Sequence, residues 1–182
     1  DKLQQGDAAN VFRTSMSGGA TMDIGVYTIY PMVALFGMPQ SINAQGIILS
    51  GGVDGQAAVN MTYPDMNATV VYSKIADSYL PSEIEGEKGN LLMSGIHVIH
   101  DVTFIPHRKP MSGQGPEEER QAVGVEIDKS DYFYETAEFI DLVEKGKSES
   151  ENNSWENSYN TLRVTDEIRR QLGVVFPTDS AK

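Results

Sequence analysis

Two side chains whose types and spacing could do chemistry stand inside an otherwise apolar stretch. They are Asp23 and Tyr27, within Ser17–Gly37, SGGATMDIGVYTIYPMVALFG. Four residues apart on a helix, they lie on one face, one above the other. A carboxylate and a phenol so placed can serve as an acid/base pair, the tyrosine passing a proton and the aspartate orienting it. A free phenol titrates near pH ~10. Work near neutral pH needs a nearby cation that favours the phenolate, and the stretch contains none. The same two residues also have a structural reading: a tyrosine hydroxyl satisfied in a core, and an aspartate near a helix N-terminus, where negative charge is favoured.

The element that must position them is a buried helix. Gly18 and Gly19 allow a tight backbone approach or a positive φ before it starts. Met22, Ile24, Val26, Ile29, Val33, Leu35 and Phe36 wrap most of its remaining surface. Pro31 has no N–H, and its partner in a continuous helix would be the carbonyl of Tyr27. A bend and a freed carbonyl beside the polar pair are therefore expected. Gly37 and Pro39 end the helix.

The rest of the chain supplies a sheet and two more helices. Ser41–Ser50, Gln56–Tyr63 and Asn67–Ile75 read as strands rich in Val, Ile, Thr and Tyr, joined by GGVDG at Gly51–Gly55 and by PDMN at Pro64–Asn67. Glu83–Gly86 and Asn90–Met93 flank a short turn. Ile96–Ile105 reads as a longer strand, 106–121 as a polar loop and Ala122–Ile127 as a last strand. Short links favour antiparallel pairing. Asp131–Lys145 has a helical apolar face of Phe133, Ala137, Ile140 and Val143, with Gly146 as its stop. Asn153–Leu172 starts at a Ser154 cap, and Asp166 is spaced to pair with Arg169 and Arg170. Gly173 ends it, and VVFP returns the tail to the body. The fold class is α+β, an open, mostly antiparallel sheet of about six or seven strands with helices on one face. The other face is polar or covered by a partner subunit, with Met61, Tyr63, Val71 and Tyr72 as candidates for it.

Bulk properties narrow the function. The 182 residues suffice for one domain with a sizeable core, and the formal net charge of −12 argues against nucleic acid and anionic membrane partners. Cysteine is absent, which excludes disulfides and thiolate metal sites and fits a reducing, cytoplasmic setting. No stretch reaches the roughly 18 apolar residues of a membrane span. The polar, irregular opening DKLQQGDAANVF, without Met, reads as the edge of a truncated or proteolysed chain.

Other motifs carry less. No Gly-x-Gly-x-x-Gly follows a strand, and the glycines of GGVDG and SGQGPEEE lie in hairpin loops with no following helix to aim at a phosphate. His97 and His100, an odd spacing apart on an expected strand, face opposite ways and cannot both ligate one metal ion without a bulge. His107, Arg108 and Lys109 form a basic knot that reads as surface charge or as a phosphate contact. The sequons at Asn60, Asn67 and Asn152 have no secretory context. No Ser/His/Asp hydrolase signature is present.

The stretch GGATMDIGVYTIYPMVALFGMP resembles the start of the C-terminal domain of the Gfo/Idh/MocA oxidoreductases. GVDGQ at Gly52–Gln56, SEIEGEKGNLL at Ser82–Leu92, YFYETAEFIDLVEKGK at Tyr132–Lys147 and the closing ENSYNTLRVTDEIRRQLGVVFP agree with it, in the same order along nearly the whole chain. The resemblance implies a two-domain enzyme. An N-terminal Rossmann domain, absent from residues 1–182, would bind NAD or NADP and carry the family's catalytic lysine in a Glu-Lys-Pro motif. The C-terminal domain would supply the open sheet, part of the substrate site and a homo-oligomer interface.

In the family an Asp and, four residues on, a His or Tyr face the nicotinamide. Here those positions are Asp23 and Tyr27. The tyrosine is similar to the branch of glucose–fructose oxidoreductase and the dimeric dihydrodiol dehydrogenases, and it disfavours an inositol dehydrogenase. The implied function is hydride transfer to or from a sugar-like, polyol or diol substrate, with loops near Asn10, Arg13 and Ser78–Tyr79 setting specificity. The alternative is a dimerisation or scaffold module, inactive as an isolated chain.

Overall fold

The structure is a computed structural model in which residues 10–99, 101–106 and 120–180 are described. The chain divides into two compact units, Asp1–Asp77 with Glu149–Lys182, and Ser78–Ser148. His100, the knot at 107–109 and the acidic run at 117–119 lie outside the described residues.

In the first unit a five-residue π-helical turn, Thr21–Gly25, leads into α1, Val26–Phe36. Three antiparallel strands follow in sequence order: β1, Ser41–Ile48; β2, Asp54–Thr62; and β3, Asn67–Ser73. Helix α3, Trp155–Leu172, returns to pack on β1 and α1. The period-2 alternation of β2 and β3 selects the covered face: Ala57, Val59, Met61, Val70 and Tyr72 are buried with Ile29 and Val33 of α1 and Val164 and Ile168 of α3. Met61, Tyr63 and Tyr72, expected on the outer face, are thus core residues. Only Val71 of that group faces out, because neighbours on a strand point to opposite sides.

The helix ends follow their sequence signals. The Ser154 hydroxyl accepts from the Asn157 N–H at 3.1 Å, and Gly173 closes α3 at φ 73°. Val174 and Phe176 then fold the tail into the core. The guanidinium of Arg169, itself buried, lies 4.1 Å from the Phe176 ring centroid and pairs with Asp166 at 2.7 Å and Asp179 at 2.9 Å. Arg170, expected to share Asp166, pairs with Glu167 instead at 2.7 Å. The edge of β1 is satisfied by one side chain of α3. Gln171 accepts from the Ala44 N–H at 2.7 Å and donates to the Ile42 carbonyl at 2.8 Å, doing what one residue of a neighbouring strand would do.

The second unit holds a four-stranded antiparallel sheet in the order β4, Ser82–Gly86; β5, Gly89–Met93; β6, Val102–Pro106; and β7, Gln121–Ala122. The α+β class and the seven strands agree with the sequence reading, but the strands fall into two sheets. Two strands are shorter than their apolar content suggested. Ile96 and His97 form a turn, so Ile96–Ile105 is a strand only from Val102. The stretch Ala122–Ile127 pairs only at its start, and from Val123 to Ile127 it is irregular. Helix α2, Asp131–Glu144, has no buried residue. Phe133, Ile140 and Val143, expected to lie on a sheet, remain about half exposed or more.

Candidate active site

The start of the central helix is held from below. The Thr21 N–H and hydroxyl both reach Oδ2 of Asp54 at 2.7 Å, and the same hydroxyl meets the Tyr72 hydroxyl at 2.8 Å. All three residues are buried. Burial, together with the negative Asp54, pushes the Tyr72 phenol far above its ordinary value, against the smaller opposing effect of its bond to Thr21. The hydroxyl of Tyr72 is therefore a structural group, present as the neutral phenol.

Two glycines make the close fit possible. A Cβ on Gly18 would sit 2.6 Å from the Val11 carbonyl. Gly19 has φ +125°, and a Cβ there would be 2.3 Å from Asp54 Oδ1. Both uses match the sequence expectation.

The outer side of the same turn carries the polar pair. Asp23 lies within the π-helical turn and Tyr27 at the second position of α1. Among the described residues no hydrogen bond joins the two side chains. Both are accessible: Tyr27 is 58 % exposed and the Asp23 side chain 44 %. Pro31 stands inside α1 and offers no N–H to the Tyr27 carbonyl. The helix is half-buried, with Ile29, Met32 and Val33 inward and Leu35 outward.

Lys74 is the residue that sequence reasoning missed. It follows β3, where its N–H donates to the Gly55 carbonyl at 2.8 Å. Its ammonium pairs with Oδ2 of Asp23, 51 residues away in sequence. The Phe12 ring centroid lies 5.8 Å from the same ammonium. In the sequence it was only a lysine near the end of the expected strand Asn67–Ile75, and its partner depends on a pairing that local signals do not give.

The proposed specificity residues separate between the units. Asn10 and Arg13 belong to the turns before the glycines, where the Arg13 N–H donates to the Asn10 carbonyl at 3.0 Å and Arg13 itself is exposed. Ser78 and Tyr79 open the second unit, Tyr79 being 97 % exposed. Two open depressions of the second unit, about 370 Å³ and 450 Å³, are lined by residues such as Leu91, Val102 and Val125, and Ile84, Lys88 and Phe104. Neither includes Asp23 or Tyr27. The chemistry, not the hollow, marks the site. Among the described residues no three His, Asp or Glu side chains are grouped to hold a metal ion, and no helix is long and apolar enough to cross a membrane.

The fold is that of the C-terminal half of known oxidoreductases. UDP-N-acetylglucosamine 3-dehydrogenase GnnA from Acidithiobacillus ferrooxidans superposes with a TM-score of 0.65, covering 84 % of this chain and 47 % of that one at 13 % identity. That likeness shows the fold alone. The family model of the GFO/IDH/MocA C-terminal domain matches residues 1–92, and the chain belongs to this family.

Among relatives, scyllo-inositol 2-dehydrogenase (NADP(+)) IolU of Bacillus subtilis is 39 % identical over 181 residues, covering 100 % of this chain and 52 % of its own. Trans-1,2-dihydrobenzene-1,2-diol dehydrogenase of Danio rerio is 29 % identical, covering 91 % and 49 %. The chain thus spans about half the length of the curated relatives it matches.

Proposed function

We propose that this chain is the substrate-binding and oligomerisation domain of an NAD(P)-dependent oxidoreductase acting on a CH–OH group of a sugar-like, polyol or diol substrate. The observation that carries the reading is an accessible phenol, Tyr27, one turn after an accessible carboxylate that is already paired with a cation. These residues fit the handling of a substrate hydroxyl. The described residues contain no glycine-rich strand–turn–helix cradle for dinucleotide phosphates, so the cofactor would be held mainly by an N-terminal domain. When bound, it takes up or returns the two electrons and the carbon-bound hydrogen.

Tyr27 Oη takes the hydroxyl proton during alcohol oxidation and returns it during carbonyl reduction. Asp23 has no bond to Tyr27, which leaves it to bind a substrate hydroxyl directly. The names of the relatives, an NADP(+)-dependent inositol dehydrogenase and diol dehydrogenases, support the substrate class and favour NADP. The cysteine-free composition supports a cytoplasmic setting. In the full-length protein, Tyr27→Phe should lower turnover about 10²-fold or more and leave cofactor affinity nearly intact. Unchanged turnover would remove Tyr27 from the mechanism.

A second reading, a dimerisation module that catalyses nothing alone, is favoured by the open face of the first sheet. Ile47 and Val71 are each more than half exposed there, and Ala58 stands between them opposite Val71. Sedimentation of the chain with and without Val71→Lys tests it. A dimer lost in the variant supports the module, and a monomeric parent chain sinks it.

A further inference from the structure

We propose that Lys74 is a positioning residue of the active site: it holds the Asp23 carboxylate by one oxygen so that the other receives a substrate hydroxyl. The inference rests on the proposed oxidoreductase reading and adds to it a residue of this chain. An ordinary surface ion pair joins two mobile, hydrated side chains and contributes little. This pair is asymmetric, with the Lys74 side chain 13 % exposed and that of Asp23 44 % exposed. Lys74 is held at three points. Its backbone N–H is bonded to the Gly55 carbonyl, the Phe12 ring lies near its ammonium, and Asp23 takes its charge.

The carboxylate is engaged through Oδ2 alone. Among the described residues Oδ1 accepts no hydrogen bond. Locking of the turn is already performed from below by Asp54 and Thr21.

The test uses the full-length protein, with scyllo-inositol, myo-inositol, glucose and trans-1,2-cyclohexanediol as probes and NADP⁺ or NAD⁺ as acceptor. On the probe oxidised fastest, Lys74→Met should raise KM and lower kcat/KM by about tenfold or more, while cofactor affinity and melting temperature stay near the parent values. Lys74→Arg, which keeps a cation, should recover most of the loss. Asp23→Asn should produce a loss of its own, and adding Lys74→Met to it should cost little more, because the two residues act as one unit. Should Lys74→Met fail to fold, Lys74→Gln, neutral and of similar reach, must show the same loss.

Unchanged kcat/KM in the neutral variants, or losses that multiply in the double variant, would overturn the role of Lys74 while leaving Tyr27 in place. If Tyr27→Phe keeps full turnover, or no probe is oxidised, the oxidoreductase reading falls and this inference with it.

Discussion

In the first unit Ala57, Val59 and Met61 of β2 are buried, whereas in the second unit Met93 is the one buried apolar side chain among the described residues. Both units contain a small antiparallel sheet. The difference is the covering layer. Helices α1 and α3 lie before and after the first sheet in sequence and close over it together, joined by contacts more than a hundred residues apart such as Gln171 to Ala44. Helix α2, with its apolar Phe133, Phe139, Ile140 and Val143, leaves those side chains exposed. A sheet with one apolar face needs a second layer before burial contributes. The placement of the site follows from this: Asp23 and Lys74 are held by the unit that has a core.

The contrast can be broken most sharply by a core deletion. Ile168→Ala, at a side chain with no exposure, should destabilise the first unit by about 2–5 kcal/mol, seen as a fall in the denaturant midpoint. A shift no larger than that of a surface variant would mean that α3 does not cover the sheet. Asp54→Ala comes next. It leaves the buried Thr21 N–H and hydroxyl without their acceptor, at about 1–3 kcal/mol. Hydrogen exchange at Thr21 should accelerate more than at β2 amides; equal acceleration would show that Asp54 supports the whole unit and not the turn.

Phe139→Ser on α2, a position 66 % exposed, should change stability by less than about 0.5 kcal/mol. A large loss would show that this face is covered in solution. The smallest effect is electrostatic. Hydrogen bonds from Arg170 and then Gln171 hold the Glu167 carboxyl at about 2, below its ordinary 4.5. Because the folded value is depressed, its contribution is complete above about pH 4.5 and is lost as pH falls towards 2. The pair lies at the surface, where screening keeps it weak. Glu167→Gln should flatten the acid side of the melting-temperature profile slightly, and an identical profile would show that the pair contributes nothing.

Much of this was legible in local signals. The Ser154 cap, the Gly173 stop, the Asp131 helix start and the first three strands depend on neighbouring residues and on periodicity, and they stand within two residues of where those signals put them. The Gly18–Gly19 approach was legible for the same reason, since only a residue without a Cβ fits there. The overlong strand at Ile96–Ile105 shows the limit. Apolar content cannot tell a strand from a turn whose side chains happen to be apolar.

The sequence by itself determined the α+β class, the order of the elements, the family resemblance and the presence of Asp23 and Tyr27 at the head of one helix. Tertiary structure decided what surrounds them. Thr21, at the start of the π-turn, reaches 33 residues along the chain to Asp54, and the cation beside Asp23 arrives from the end of a strand 51 residues away. Neither leaves a periodic or local trace. Each depends on which strand lies beneath the helix and in what register, and a one-residue slip of β3 would have turned Lys74 to the other face.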